Sequence, residues 1–270
     1  MKIDENFVRA NDARFEDEQY SLGKIILIWL AVAVPMPIGA FVLSPMLASG
    51  QMWDIGLVIW SMMIAGMVWQ FILSIILLRL ENVPFKWSAL KQRLWLEKPT
   101  DPKTGKSSYK LFWWLIPAFL FYAAIEMSPF EAMVADMVTW LFPFLEKLPS
   151  MDIESLARPE FAGAWWLMGI AIISSIFNYF LGEELLFRGV LLPKMKGAFG
   201  RWDWVANSVL FAFYHLHRPT QMLAFAIGGL AYSLPSRRFK SIWFAVILHG
   251  LEGLLLLGGV FAVVSGLAFP

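Results

Sequence analysis

Residues 55–78 read IGLVIWSMMIAGMVWQFILSIILL, with no charged side chain anywhere in the run. A helix needs about 20 predominantly apolar residues to cross the hydrocarbon of a bilayer, so this stretch is long enough to span. Residues 25–48, IILIWLAVAVPMPIGAFVLSPMLA, are equally free of charge. The rest of the 270-residue chain agrees: 59% of it is hydrophobic and only 16% charged, against about 45–50% and 25% in soluble domains. Further apolar segments lie at 111–129, 162–192, 203–216, 221–234 and 241–264. Together they predict an all-α polytopic membrane protein, a bundle of about seven to eight transmembrane helices.

The segments at 203–216 and 221–234 are short for full crossings, and are expected either to tilt or to form a buried hairpin. EAMVADMVTWLFPFLEKLP, 131–149, is amphipathic and acidic and is expected to lie along the membrane surface. No internal repeat or long linker interrupts the chain, which predicts a polar cytoplasmic segment at 1–24 and a single transmembrane domain at 25–270. The lead MKIDENFVRANDARFEDEQYSLGK does not read as a signal peptide, because the apolar run after it is long enough to span and stay.

Basic residues set the expected orientation. Arg79, Lys86, Lys91, Arg93, Lys98, Lys103, Lys106 and Lys110 crowd the loop after the second segment. Lys194, Lys196 and Arg201 follow the fourth, and Arg237, Arg238 and Lys240 precede the last. The loop at 130–161 has only Lys147 and Arg158. An N-terminus in the cytoplasm with seven crossings places all three basic loops inside, in an expected bacterial plasma (inner) membrane. The net charge of +1 gives no reason to expect a nucleic-acid partner. The chain has no cysteine, which excludes a thiol nucleophile, a thiolate metal site and a disulfide framework. Its 14 Trp and 23 Phe are assigned to membrane interfaces and helix packing.

Charge inside the membrane costs at least about 2.5–3.5 kcal/mol per group, so embedded ionisable residues mark function or tight pairing. Here they are Glu183, Glu184, Arg188, His215, His249 and Glu252, with Asn178, Asn207 and Ser208 as weaker additions. Glu184 and Arg188, at i and i+4, share a helix face and are expected to pair. Glu183 points about 100° away, toward Tyr179, and has no opposite charge within a turn. A lone carboxyl in a low-dielectric pocket suits proton transfer, whereas a structural ion cluster is the plainer reading of the same residues. His217, two residues past His215, is expected to face another way, toward the aqueous rim. Ionisable groups on three separate helices are cheapest to bury together around a shared wet cavity, and a carboxylate with two imidazoles describes a hydrolytic or a metal site.

Competing signatures are missing. The sequence has no H-E-x-x-H, no G-x-S-x-G, and no paired aspartates within its membrane segments. What remains is E-E-x-x-x-R at Glu183, Glu184 and Arg188, F-x-x-x-H at Phe211 and His215, and a further histidine, His249, on the last helix. In this order the motifs resemble the CAAX-prenyl-endopeptidase and bacteriocin-processing (CPBP, or Abi) family of intramembrane proteases. The resemblance covers about 162–264, the expected catalytic core.

The resemblance implies an endopeptidase hydrolysing a peptide bond of a membrane-associated peptide or protein with a glutamate-activated water. Glu183 would be the general base, His215 would hold the water, and Glu184 with Arg188 would fix the helix. The family's last motif, H-x-x-x-N, stabilises the oxyanion; His249 matches it, but Gly253 stands where Asn is expected. Either Asn207, Asn178 or a backbone N–H near Gly250 and Gly253 substitutes, or the enzyme is slow or narrowly specific, or the protein binds peptides without cutting them. A divalent metal such as zinc held by Glu183, His215 and His249 and a metal-free glutamate mechanism both satisfy this set. The alternative function is a catalytically degenerate membrane scaffold or immunity-type peptide-binding protein. A proton-coupled transporter would be expected to spread its carboxylates over more helices.

Overall fold

The computed structural model describes residues 18–49, 54–149 and 156–268. Most of the predicted polar lead, residues 1–17, lies outside the described residues. The main helices in chain order are α1 (Leu22–Ala48), α2 (Ile55–Leu80), α3 (Trp87–Arg93), α4 (Tyr109–Glu126), α5 (Phe130–Leu141), α6 (Trp166–Lys194), α7 (Asp203–Tyr214), α8 (Met222–Gly228), α9 (Leu230–Phe239) and α10 (Trp243–Val264). Among the described residues there is no strand, only an isolated pairing of Thr100 with Ser107.

Four helices, α1, α2, α6 and α10, are long and apolar enough to cross a membrane. A fifth crossing results if α4 and α5, bent by 46° at their junction, form one broken span. The apolar segments expected at 203–216 and 221–234 are helical but short, since α7 stops at Tyr214 and α8 is followed at once by α9. Large side chains on the long helices face outward, with Leu27 68% and Leu255 78% exposed. Such surface is stable only against lipid, so the chain is an all-α polytopic membrane protein.

Local chemistry starts and bends these helices. Ser21 caps α1 by accepting from the Lys24 N–H (3.2 Å), and Asp54 caps α2 by accepting from Gly56 (2.8 Å) and Leu57 (3.4 Å). Pro35 and Pro37 withdraw donors midway along α1, and the helix answers with a wide π-turn at Ile38–Leu43. Tryptophan N–H groups tie the helices across the apolar interior: Trp29 donates to the Leu210 carbonyl (2.8 Å), Trp69 to that of Ala31 (2.8 Å), and Trp60 to the Ser174 hydroxyl (3.0 Å).

The three basic segments gather at one end of the bundle. Tyr20 N–H donates to the Lys194 carbonyl (3.0 Å), Thr100 to that of Phe239 (2.9 Å), and Ile242 to that of Trp95 (2.9 Å). One apolar core fills this end, with Ile25, Leu77, Leu186, Val190 and Phe211; a second, with Trp60, Leu167, Ala171 and Val260, fills the other.

The site depends on how α6 is wound. Two π-turns, Phe177–Leu181 and Leu185–Leu191, flank Gly182, Glu183 and Glu184. Gly182 closes the first by donating to the Phe177 carbonyl (2.7 Å). A Cβ on Gly182 would sit 2.6 Å from that oxygen and 2.9 Å from the Met67 carbonyl oxygen of α2. Only glycine lets the two helices approach this closely beside the glutamates.

Candidate active site

The expected pair forms. Arg188 Nη1 donates to Glu184 Oε1 at 3.1 Å, and both side chains are fully buried. A third member joins from α10, with His249 Nδ1 lying 2.9 Å from the same oxygen. An ionised carboxylate only accepts, so the Nδ1 proton faces Glu184 and the ring is oriented by it. The Arg188 guanidinium also lies 3.9 Å from the Phe211 ring centroid, a cation–π contact. These bonds do not use everything present: Glu184 Oε2 and Arg188 Nε and Nη2 are buried without hydrogen-bond partners among the described residues.

Glu183 belongs to a different group. It is buried, and its hydrogen-bond partners come from α7 and from its own helix. The Tyr214 hydroxyl donates to Glu183 Oε1 (3.2 Å), and the Asn178 amide, with nitrogen turned inward, reaches both carboxylate oxygens at 3.1 Å. His215 Nε2 stands 3.9 Å from Glu183 Oε1, too far for a direct bond. His215 Nδ1 lies 2.9 Å from the Phe211 carbonyl. A carbonyl only accepts, so Nδ1 carries the proton, and in the neutral ring Nε2 turns a lone pair toward Glu183.

The sequence-predicted residues are therefore brought to one place but divided into Glu183–His215 and Glu184–Arg188–His249. Glu183 was expected to point toward Tyr179; its hydrogen bonds come from Tyr214 and Asn178. Sequence reasoning passed over Tyr214, although it directly precedes His215 and ends the same apolar run. His217 also departs from expectation. Its ring centroid lies 5.5 Å from that of His215, and its Nδ1 is buried without a hydrogen-bond partner. The helical angle that separated the two histidines does not apply, because α7 ends at Tyr214 and His215 leaves it with φ −78° and ψ 41°.

Tyr179 explains the missing asparagine. A Cβ built on Gly253 runs into the Tyr179 ring, which packs edge-on against His249 with centroids 4.8 Å apart. The aromatic ring occupies the space that a side chain at position 253 would need. Asn207 does not stand in, since its amide is bound to the Phe187 carbonyl (2.7 Å). Glu252, on the other side of His249, accepts from the Tyr232 hydroxyl and lies 4.0 Å from His249 Nε2.

Among the described residues no three His, Asp or Glu side chains are gathered as a metal-binding group. The Glu183, His215 and His249 set is split, with His249 turned to Glu184, and does not fit a three-ligand zinc site in this arrangement.

Fold and site together define a helical membrane protein with a buried carboxylate–histidine centre. Residues 162–255, which run from before α6 into α10, match the family model described as Rce1-like, Type II CAAX prenyl endopeptidase Rce1-like. This agrees with the resemblance of the motifs, and it supports a protease of the CAAX-protease-like kind. Compared with curated proteins and with solved structures, the chain finds no match in either.

Proposed function

We propose that the protein is an intramembrane endopeptidase in which Glu183 is the general base. The observation that carries this reading is the 3.9 Å between Glu183 Oε1 and the unprotonated side of His215. That separation suits a water bound to both groups. In the reaction, Glu183 takes one water proton while the water oxygen adds to the scissile carbonyl carbon, and the C=O pair of electrons moves onto the carbonyl oxygen. As that pair re-forms the C=O bond, the C–N bond breaks, and the proton held by Glu183 passes to the leaving amine nitrogen. Glu184, itself paired with Arg188, holds the His249 ring, which faces the developing oxyanion. The substrate is a membrane-associated peptide or protein reaching the basic end of the bundle. We place that end in the cytoplasm of a bacterial cell, with the N-terminus on the same side.

The test is cleavage of a processed lipopeptide panel by purified protein in detergent or nanodiscs. Glu183→Gln should abolish turnover and leave a folded protein. The seating of Tyr179 on Gly253 favours a second reading, a peptide-binding scaffold without catalysis. In that case wild type cleaves none of the panel and Glu183→Gln is functionally silent. Parallel assays with chelator and with added zinc decide between metal-free and metal-assisted turnover.

A further inference from the structure

A polar side chain outside the matched segment is buried beside the proposed base. Gln70 lies in the middle of α2, is 0% exposed, and has neither amide atom in a hydrogen bond of full geometry. Such a group in an apolar interior calls for an explanation. Its place supplies one. Met67, one turn earlier on the same buried face, packs so close to Gly182 that a Cβ there would sit 2.9 Å from its carbonyl oxygen, so this stretch of α2 lies against α6 next to Glu183. The Gln70 side chain reaches the Tyr214 hydroxyl, itself fully buried and donating to Glu183 Oε1.

A tyrosine hydroxyl has one proton and rotates freely unless its lone pairs are engaged. An amide N–H from Gln70 directed at the Tyr214 oxygen leaves the proton one favourable direction, onto Glu183. We infer that Gln70 is a positioning residue for the proposed reaction: it fixes the Tyr214 rotor, and through it the orientation of the Glu183 carboxylate. The working unit would thus include α2, beyond residues 162–255. This inference rests on the proteolytic reading for its effect on rate, but the Gln70–Tyr214 contact can be tested without turnover.

The variant is Gln70→Met, which keeps the length of the side chain and removes the amide. Were Gln70 merely structural, replacing an unsatisfied buried amide by an apolar group would leave activity unchanged and stability equal or higher. A positioning role predicts an unchanged or higher melting temperature together with a kcat lowered about 10-fold and an unaltered KM. Tyr214→Phe should lower kcat similarly, and the double variant should fall no further than the worse single one. In parallel, 3-fluorotyrosine placed at position 214 should shift its ¹⁹F resonance in Gln70→Met. A wild-type kcat in Gln70→Met, or fully additive effects in the double variant, overturns the inference while proteolysis stands. If wild type cleaves nothing, the proteolytic reading fails and the claim about rate fails with it. An unmoved ¹⁹F resonance overturns the contact itself.

Discussion

Two buried ion clusters lie a short distance apart along α6, and they are built differently. In the first, Arg93 of α3 bonds Glu81 through Nε (2.5 Å) and Nη2 (2.7 Å). Its Nη1 and Nη2 also donate to the carbonyls of Gly189 and Val190, both at 3.1 Å, and Tyr20 adds a hydroxyl to Glu81. Every nitrogen of that guanidinium has a partner, and the carbonyls it serves lie on the second π-turn of α6. In the second cluster Arg188 uses one nitrogen on Glu184 and leaves two without hydrogen bonds. The first cluster fastens a loop and two helices together. The second joins His249 and lies beside Glu183, and keeps donors and acceptors without hydrogen bonds.

That contrast can be broken by exchanging what each cluster is expected to lose. Glu183→Gln should have the largest effect, lowering kcat about 100- to 10,000-fold as removal of a general base does, with no loss of thermal stability. Arg93→Ala should do the opposite. Leaving Glu81 buried without its partner costs about 3–5 kcal/mol, read as a lower unfolding temperature in detergent. A destabilised Glu183→Gln, or an Arg93→Ala that loses turnover at full stability, would reverse the assignments. Gly253→Asn should be milder, at about 1–3 kcal/mol, because the new side chain must displace the Tyr179 ring. Adding Tyr179→Ala to it should recover part of that loss in the same melting assay.

The smallest expected effect is on pH. Burial alone would push the Glu81 carboxyl up, but the Arg93 guanidinium and the Tyr20 hydroxyl outweigh it and hold the group below its ordinary range. Its contribution to stability is therefore complete above the ordinary glutamate value, about 4.3. It fades as pH falls from there through the lowered folded value, because the unfolded chain takes up the proton first. Melting temperature plotted between about pH 5 and pH 3 should fall less steeply in Glu81→Gln than in wild type. Equal slopes would remove Glu81 from the account.

The membrane class was legible because uncharged runs such as 55–78 admit no soluble reading, and the Glu184–Arg188 pair because i,i+4 spacing survives even in a π-wound helix. Glu183 stood out in the sequence by lacking such a partner. Its actual neighbours could not be read the same way: Tyr214 comes from another helix, and Asn178 reaches it across the π-turn closed by Gly182. His217 was misplaced because helical angles were carried past the end of α7. Gln70 was visible as an amide in an otherwise apolar run, but nothing local connects it to residue 183. The short α7 and α8 occupy stretches that hydropathy marks as membranous but whose length does not reveal how deep each helix runs.

The seating of Tyr179 on Gly253 has a consequence for tracing relatives. The two positions share one volume, so their sizes are not free to change independently. Chains of this kind should divide into two sequence types, one with an aromatic residue at 179 opposite glycine at 253, the other with a small residue at 179 opposite a polar side chain at 253. Mixed combinations should be rare. A search that scores position 253 alone would discard the first type as defective, whereas one that scores the pair would keep it.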